Sequence, residues 1–131
     1  MLNAAQITQY LSPLLRQLQR ARTKTDLASP AYYRLDARLA GVNEAHLLLA
    51  DVANAQAPLP PATVGTLSAQ DIIDLLEALM SRAGERHQQA SDSQRTYQAN
   101  VLIGLGWAYL TVVPAAQAAE AQARQQEVMH G

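Results

Sequence analysis

One stretch limits what this chain can become: Val101-Leu-Ile-Gly-Leu-Gly-Trp-Ala-Tyr-Leu-Thr-Val-Val113, uncharged throughout and holding the only tryptophan. In a helix of period 3.6, Leu102, Leu105 and Tyr109 fall along one face, while Val101, Ile103, Leu110 and Val113 occupy the others. A helix that is apolar all round must be covered on every side by protein or by lipid. Its smallest residues form a line of their own, Asn100, Gly104 and Ala108, each four apart. Such a line lets a second helix come close. Glycine inside a helix costs about 1 kcal/mol relative to alanine, so Gly104 and Gly106 call for a packing reason. Asn100, Gly104, Leu105, Trp107, Ala108 and Tyr109 are therefore the candidate helix-packing or oligomer residues.

The uncharged run extends over residues 96–119, between Arg95 and Glu120. A membrane span needs about 20 mostly apolar residues, and shorter strongly apolar runs are more often core helices. Here the strongly apolar part is 101–113. Gln98, Asn100 and Gln117 sit at its margins, Pro114 follows at once, and no Lys or Arg cluster flanks it to set a topology. A buried core helix is the expectation, with a membrane anchor over 96–119 as the alternative.

Alanine, leucine and glutamine dominate the rest, and phenylalanine is absent. That balance favours helices. An alanine-rich core means closely spaced helices with little buried area per residue, and oligomerisation would supply the missing burial. A length of 131 residues suits one domain. With no cysteine, disulfides and thiolate metal sites are excluded. The start, Met-Leu-Asn-Ala-Ala-Gln, lacks the basic and then apolar regions of a secretory signal, so the cytoplasm is the default expectation.

Read in order, Asn3 caps a first helix, with Gln6 closing a capping box. Ile7, Tyr10, Leu11, Leu14, Leu15 and Leu18 form its apolar stripe. Ser12-Pro13 either starts a second helical piece or kinks one continuous helix. Ser29-Pro30 opens the second helix, expected over 30–53, with a stripe of Tyr32, Leu35, Leu39, Val42, His46 and Leu49 widened by Leu47 and Leu48. The short link between these helices implies an antiparallel hairpin. A Pro-rich connection over 54–67 follows. Three prolines in four positions favour an extended path there, a crossover between hairpins or, alternatively, a docking strip. Ser68 then caps a third helix with Asp71 at its third position. Its buried face is Ile72, Leu75, Leu76, Leu79, Met80 and Ala83. Ser91 and Gln94 make another capping box, and the fourth helix enters the central stretch. Pro114 should kink or end it. Residues 115–131 read as an Ala/Gln-rich helix that packs closely through Ala115, Ala119 and Ala123, or projects as a tail.

No motif carries chemistry. Glu44/His46 and Glu85/His87 are i, i+2 pairs, which point to different sides of a helix and cannot chelate. His46 on an apolar stripe suits a satisfied interior or interface histidine. Asp71, Asp74 and Glu77 at a helix start suit dipole compensation, with a divalent-ion site as the minor alternative. Neither a phosphate-binding loop nor a nucleophile elbow is present. No catalytic, metal or cofactor residue is assigned, and no small-molecule substrate is evident.

Charge is split. Residues 1–40 carry Arg16, Arg20, Arg22, Lys24, Arg34 and Arg38 against Asp26 and Asp36, whereas 41–77 have no Lys or Arg. Arg16, Arg20, Lys24, Arg34 and Arg38 form a candidate basic patch for phosphates. The pI of 6.3 and the absence of helix-turn-helix spacing weigh against nucleic acid as the partner. The expected fold is all-α: an antiparallel four-helix bundle of two hairpins, or five helices if Pro114 ends the fourth. The expected role is a non-enzymatic protein–protein interaction module acting as a homo-oligomer. Membrane anchoring is the first alternative and weak nucleic-acid binding the second.

Overall fold

The computed structural model describes residues 1–56 and 65–130. Asn3 opens the first helix as foreseen: its Oδ1 accepts from the Gln6 backbone N–H at 2.8 Å, and Gln6 Oε1 accepts from the Asn3 N–H at 2.9 Å. Helix α1 then runs Ala4–Thr23 without a break at Pro13. Pro13 and Gln9, whose carbonyl the proline cannot serve, are both exposed, so water can take that carbonyl and the helix continues. Ser29 caps α2, Pro30–Ala55, with Pro30 in the first turn and the Ser29 hydroxyl accepting from Tyr32 N–H. Ser68 and Asp71 form a reciprocal box at the start of α3, Ala69–Gln89.

Helix α4 spans Asp92–His130 as one element, so the five-helix alternative does not hold. Pro114 sits inside it on the solvent side, and Leu110, the residue whose carbonyl loses its donor, is exposed as well. The expected box at Ser91 and Gln94 is replaced. The Ser91 hydroxyl meets the Ser93 hydroxyl at 3.1 Å, while the Ser91 carbonyl accepts from Gln94 and Arg95. Neighbouring serines offer a local alternative to the box.

The connection over 54–67 also differs from expectation at both ends. Asn54 and Ala55 continue α2. Leu2–Asn3 (β1) and Thr66–Leu67 (β2) pair antiparallel, Leu2 opposite Leu67, both almost fully buried. The extended path and docking strip expected for Pro58, Pro60 and Pro61 lie outside the described residues.

This short ribbon joins the starts of α1 and α3, which therefore run the same way, and the two hairpins send α2 and α4 back toward it. In such a bundle the parallel pair α2 and α4 lies across the diagonal, yet it makes the most extensive contact of any pair. Small residues allow this. Ala37, Gly41, Ala45, Leu49 and Ala53 on α2 are buried at every fourth position, as are Gly104, Ala108, Val112 and Ala116 on α4. A methyl group on Gly104 would run into the carbonyl oxygen of Arg38, with the Arg38 Cα 3.1 Å away. One on Gly41 would meet the Val101 carbonyl, with Leu105 N at 3.0 Å. Backbone meets backbone in both directions, the geometry of paired Cα–H···O contacts. α1 and α3 pack on either side of this central pair.

The expected stripes match in part. Ile7, Leu11 and Leu18 are buried, but Tyr10 is 40% exposed. On α2, Leu47 is 53% exposed and Leu48 only half-buried. Size-weighted hydrophobicity favoured these leucines over the alanine and glycine line that the diagonal contact actually buries.

Candidate functional site

Helix α4 has two unlike faces, and the candidate residues lie on the sides packed against the rest of the chain, not on the outward one. Asn100, Gly104, Leu105 and Ala108 are buried within the chain, whereas Trp107 and Tyr109 are half-buried. Asn100 is 5% exposed. Its Oδ1 accepts from Arg38 Nε at 2.8 Å, and its Nδ2 donates to the Thr96 carbonyl at 2.8 Å. The Arg38 guanidinium also lies over the Trp107 ring, 5.2 Å from its centroid. Asn100 and Trp107 are two turns apart on one face, so a single arginine from α2 clasps both, across the Gly104 contact. Thr111 donates to the Trp107 carbonyl at 2.8 Å, which satisfies its hydroxyl inside the helix.

The opposite meridian is uncovered. Ile103 is 38% and Leu110 70% exposed, Pro114 is exposed, and a methyl added to Gly106 would meet nothing within 4 Å. The expectation that polypeptide covers every side of this segment is therefore not met by one chain. The reason is geometric: α2 and α3 occupy the inner sides, and α1 reaches α4 only slightly. Beyond Glu120, whose Oε1 accepts from Ala69 N–H at 2.8 Å and so helps cap α3, all of 121–129 is exposed. Val128 and Met129 are over four-fifths exposed. Of the packed and projecting alternatives for 115–131, each holds for part: Ala116 is buried and Ala119 packs against the core, whereas Ala123 and the rest of 121–129 project. By length and composition α4 could cross a membrane, and 44% of its most apolar window is buried inside the bundle.

Of the basic candidates, Arg38 is engaged within the bundle and the others are exposed. Arg16, Arg20 and Lys24 line the outer side of α1, and Arg34 is exposed on α2. Arg38 is turned to Asn100 and Trp107 instead. A neighbouring cluster escaped sequence reasoning. Arg22 pairs with Asp36 at 2.6 Å and stands over the Tyr32 ring, and Tyr33 tilts against Tyr97 with centroids 5.2 Å apart. Burial pushes the Tyr97 phenol above its ordinary range, with the Asp36 carboxylate and then Tyr33 adding to the shift. The partners lie on three helices, so no local spacing could have announced them.

His46 is half-buried and its Nε2 meets the Thr8 hydroxyl at 2.8 Å, joining α1 to α2. Asp71 serves the Ser68 cap and Asp74 accepts from Gln70. No group of three or more His, Asp or Glu side chains converges among the described residues. Comparison with protein-family models, curated proteins and solved structures finds no match to this chain.

Proposed function

We propose that the chain is a non-enzymatic helical interaction module that acts as a homo-oligomer, with the outward face of α4 as its contact surface. The observation that carries this reading is the uncharged line Ile103, Gly106, Leu110 and Pro114, solvent-facing along a helix whose other sides are packed. Surface leucines occur singly on many proteins, and exposed apolar residues that follow one another along a helix suit a contact surface better than a lone leucine does. Light scattering after size exclusion tests it: the mass should exceed 14.2 kDa and fall to one chain for Leu110→Glu. A monomeric wild-type protein at every concentration removes the reading.

A membrane anchor over 96–119 is the second reading, supported by the length and apolar character of α4. It requires α4 to leave α2 and give up the backbone contacts at Gly41 and Gly104. Recovery only from the membrane fraction in a detergent-free purification would favour it. Phosphate binding by Arg16, Arg20 and Lys24 is weaker, because Arg38 is engaged elsewhere. A shift assay at low salt with Arg16→Glu and Arg20→Glu decides that point.

A further inference from the structure

Charge is sorted along the bundle axis. The ribbon lies at one end, and the turns 24–29 and 90–91 lie at the other. With each packed helix divided at its middle, the ribbon halves carry six carboxylates and neither Lys nor Arg. The turn halves carry nine Lys and Arg against four Asp and Glu. The up-and-down chain path does this: the basic part comes last on α1 and α3 but first on α2. Helix dipoles explain only a share of it. They favour acids in the first turn and bases in the last, which suits Asp71 on α3 and Arg20 and Arg22 on α1. Arg16 and Glu77 lie about two turns inside their helices, out of that reach. On α2 the order opposes the dipole, with Arg34 and Arg38 early, Asp51 late, no acid in the first turn and no base in the last.

Two exposed faces carry most of the imbalance. Arg16, Arg20 and Lys24 recur every four residues on the outer side of α1, and Asp71, Asp74 and Glu77 every three on α3. Like charges at these spacings repel. The ion pairs among the described residues, Arg22 with Asp36, Arg86 with Glu44 and Arg95 with Asp92, use none of the six. Asp71 and Asp74 rim a groove lined by Val52, Leu67 and Leu75, where the end of α2 meets the start of α3. Asp51, next to Val52, is exposed there as well. Within one chain the two faces lie toward opposite ends, so neither neutralises the other.

We propose that copies of this chain associate head to tail, the carboxylate face of one (Asp51, Asp74 and Glu77) against the Arg16, Arg20 and Lys24 stripe of the next. A second copy is the occupant because it carries the complement of each face, so one contact relieves both repulsions. The contact joins unlike surfaces, so it builds rings or open chains rather than a closed pair. It uses neither side of α4 and stands apart from the self-association proposed above.

Salt tests it. Light scattering on Leu110→Glu, which lacks the α4 contact, should give at least about twice the mass of one chain at about 10 mM salt, where charges act over about 30 Å, and one chain at about 1 M. Charge exchange tests the pairing. Arg16→Glu with Arg20→Glu and Lys24→Glu makes both faces acidic, and Asp51→Lys with Asp74→Lys and Glu77→Lys makes both basic. Each triple variant should stay single at low salt with unchanged circular dichroism, and an equal mixture of the two should associate. A wild-type mass above 14.2 kDa that is the same at both salt concentrations overturns the head-to-tail contact and leaves the α4 contact standing. Growth of Leu110→Glu at low salt, with the wild type single at high salt, does the reverse. A mixture no heavier than its components overturns the pairing. So does binding of anionic vesicles or DNA at low salt by a chain that itself stays single.

Discussion

Gly104 and Gly106 stand two residues apart on one helix and do opposite things. Gly104 lies against the backbone of α2, where even a methyl group has no room, whereas Gly106 faces open space. The inward side of α4 is set by steric exclusion and the outward side by the lack of any neighbour. The same apolar composition thus serves the core on one side and a free surface on the other, and only the position of α2 distinguishes them.

The sharpest way to break this contrast is Gly104→Leu. It should cost on the order of 3 kcal/mol or more, because the intruding side chain meets backbone and cannot be relieved by a rotamer change. Urea unfolding measures it, and a midpoint equal to that of Gly106→Leu would erase the distinction. Next in size is Asn100→Ala, which removes the acceptor for Arg38 Nε and should cost about 1–2 kcal/mol. Trp107 fluorescence should shift in parallel as the guanidinium loses its anchor; an unchanged midpoint and spectrum would show that the clasp contributes nothing.

On the outward side, Gly106→Ala should stabilise the chain by up to about 1 kcal/mol through helix propensity alone. A loss of stability would mean that Gly106 is already in close contact with something. The smallest effect is at Tyr97. Its phenol is raised, so the stability it contributes is present in full below the ordinary value of 10.0 and is lost as pH climbs through the raised one. Phenolate absorbance should rise later for Tyr97 than for the other tyrosines, and earlier again in Asp36→Asn. Superimposable titrations of wild type and Tyr97→Phe, scaled for tyrosine number, would contradict this.

Local signals were legible where one residue decides the outcome. The boxes at Asn3 and Ser68 and the Ser29-Pro30 start need only a short polar side chain and a backbone N–H within four residues. The cost of a helical glycine alone was no guide, since Gly106 raised the same expectation and meets nothing within 4 Å. Gly104 was readable as a close-approach site because it stands in the line of small residues Asn100, Gly104 and Ala108. Its partner line of Ala37, Gly41 and Ala45 was not, since small residues carry little hydropathy and the larger Leu47 and Leu48 masked them. Pro13 and Pro114 were read as kinks or breaks, and the break is excluded at both because the helices continue. Whether a proline ends a helix depends on which side its orphaned carbonyl faces, and that is settled only when neighbouring helices are in place.

By itself the sequence determined an all-helical chain, the caps of the first three helices and the demand for close packing at Gly104, because these follow from short-range hydrogen bonding and side-chain volume. Tertiary structure alone decided that α2, across the bundle diagonal, fills that demand, and that Arg38 turns from the basic face to clasp Asn100 and Trp107. It also decided that Leu110 is left in water. Each of these depends on which helix lies beside α4, a relation between residues about sixty positions apart that no local periodicity encodes.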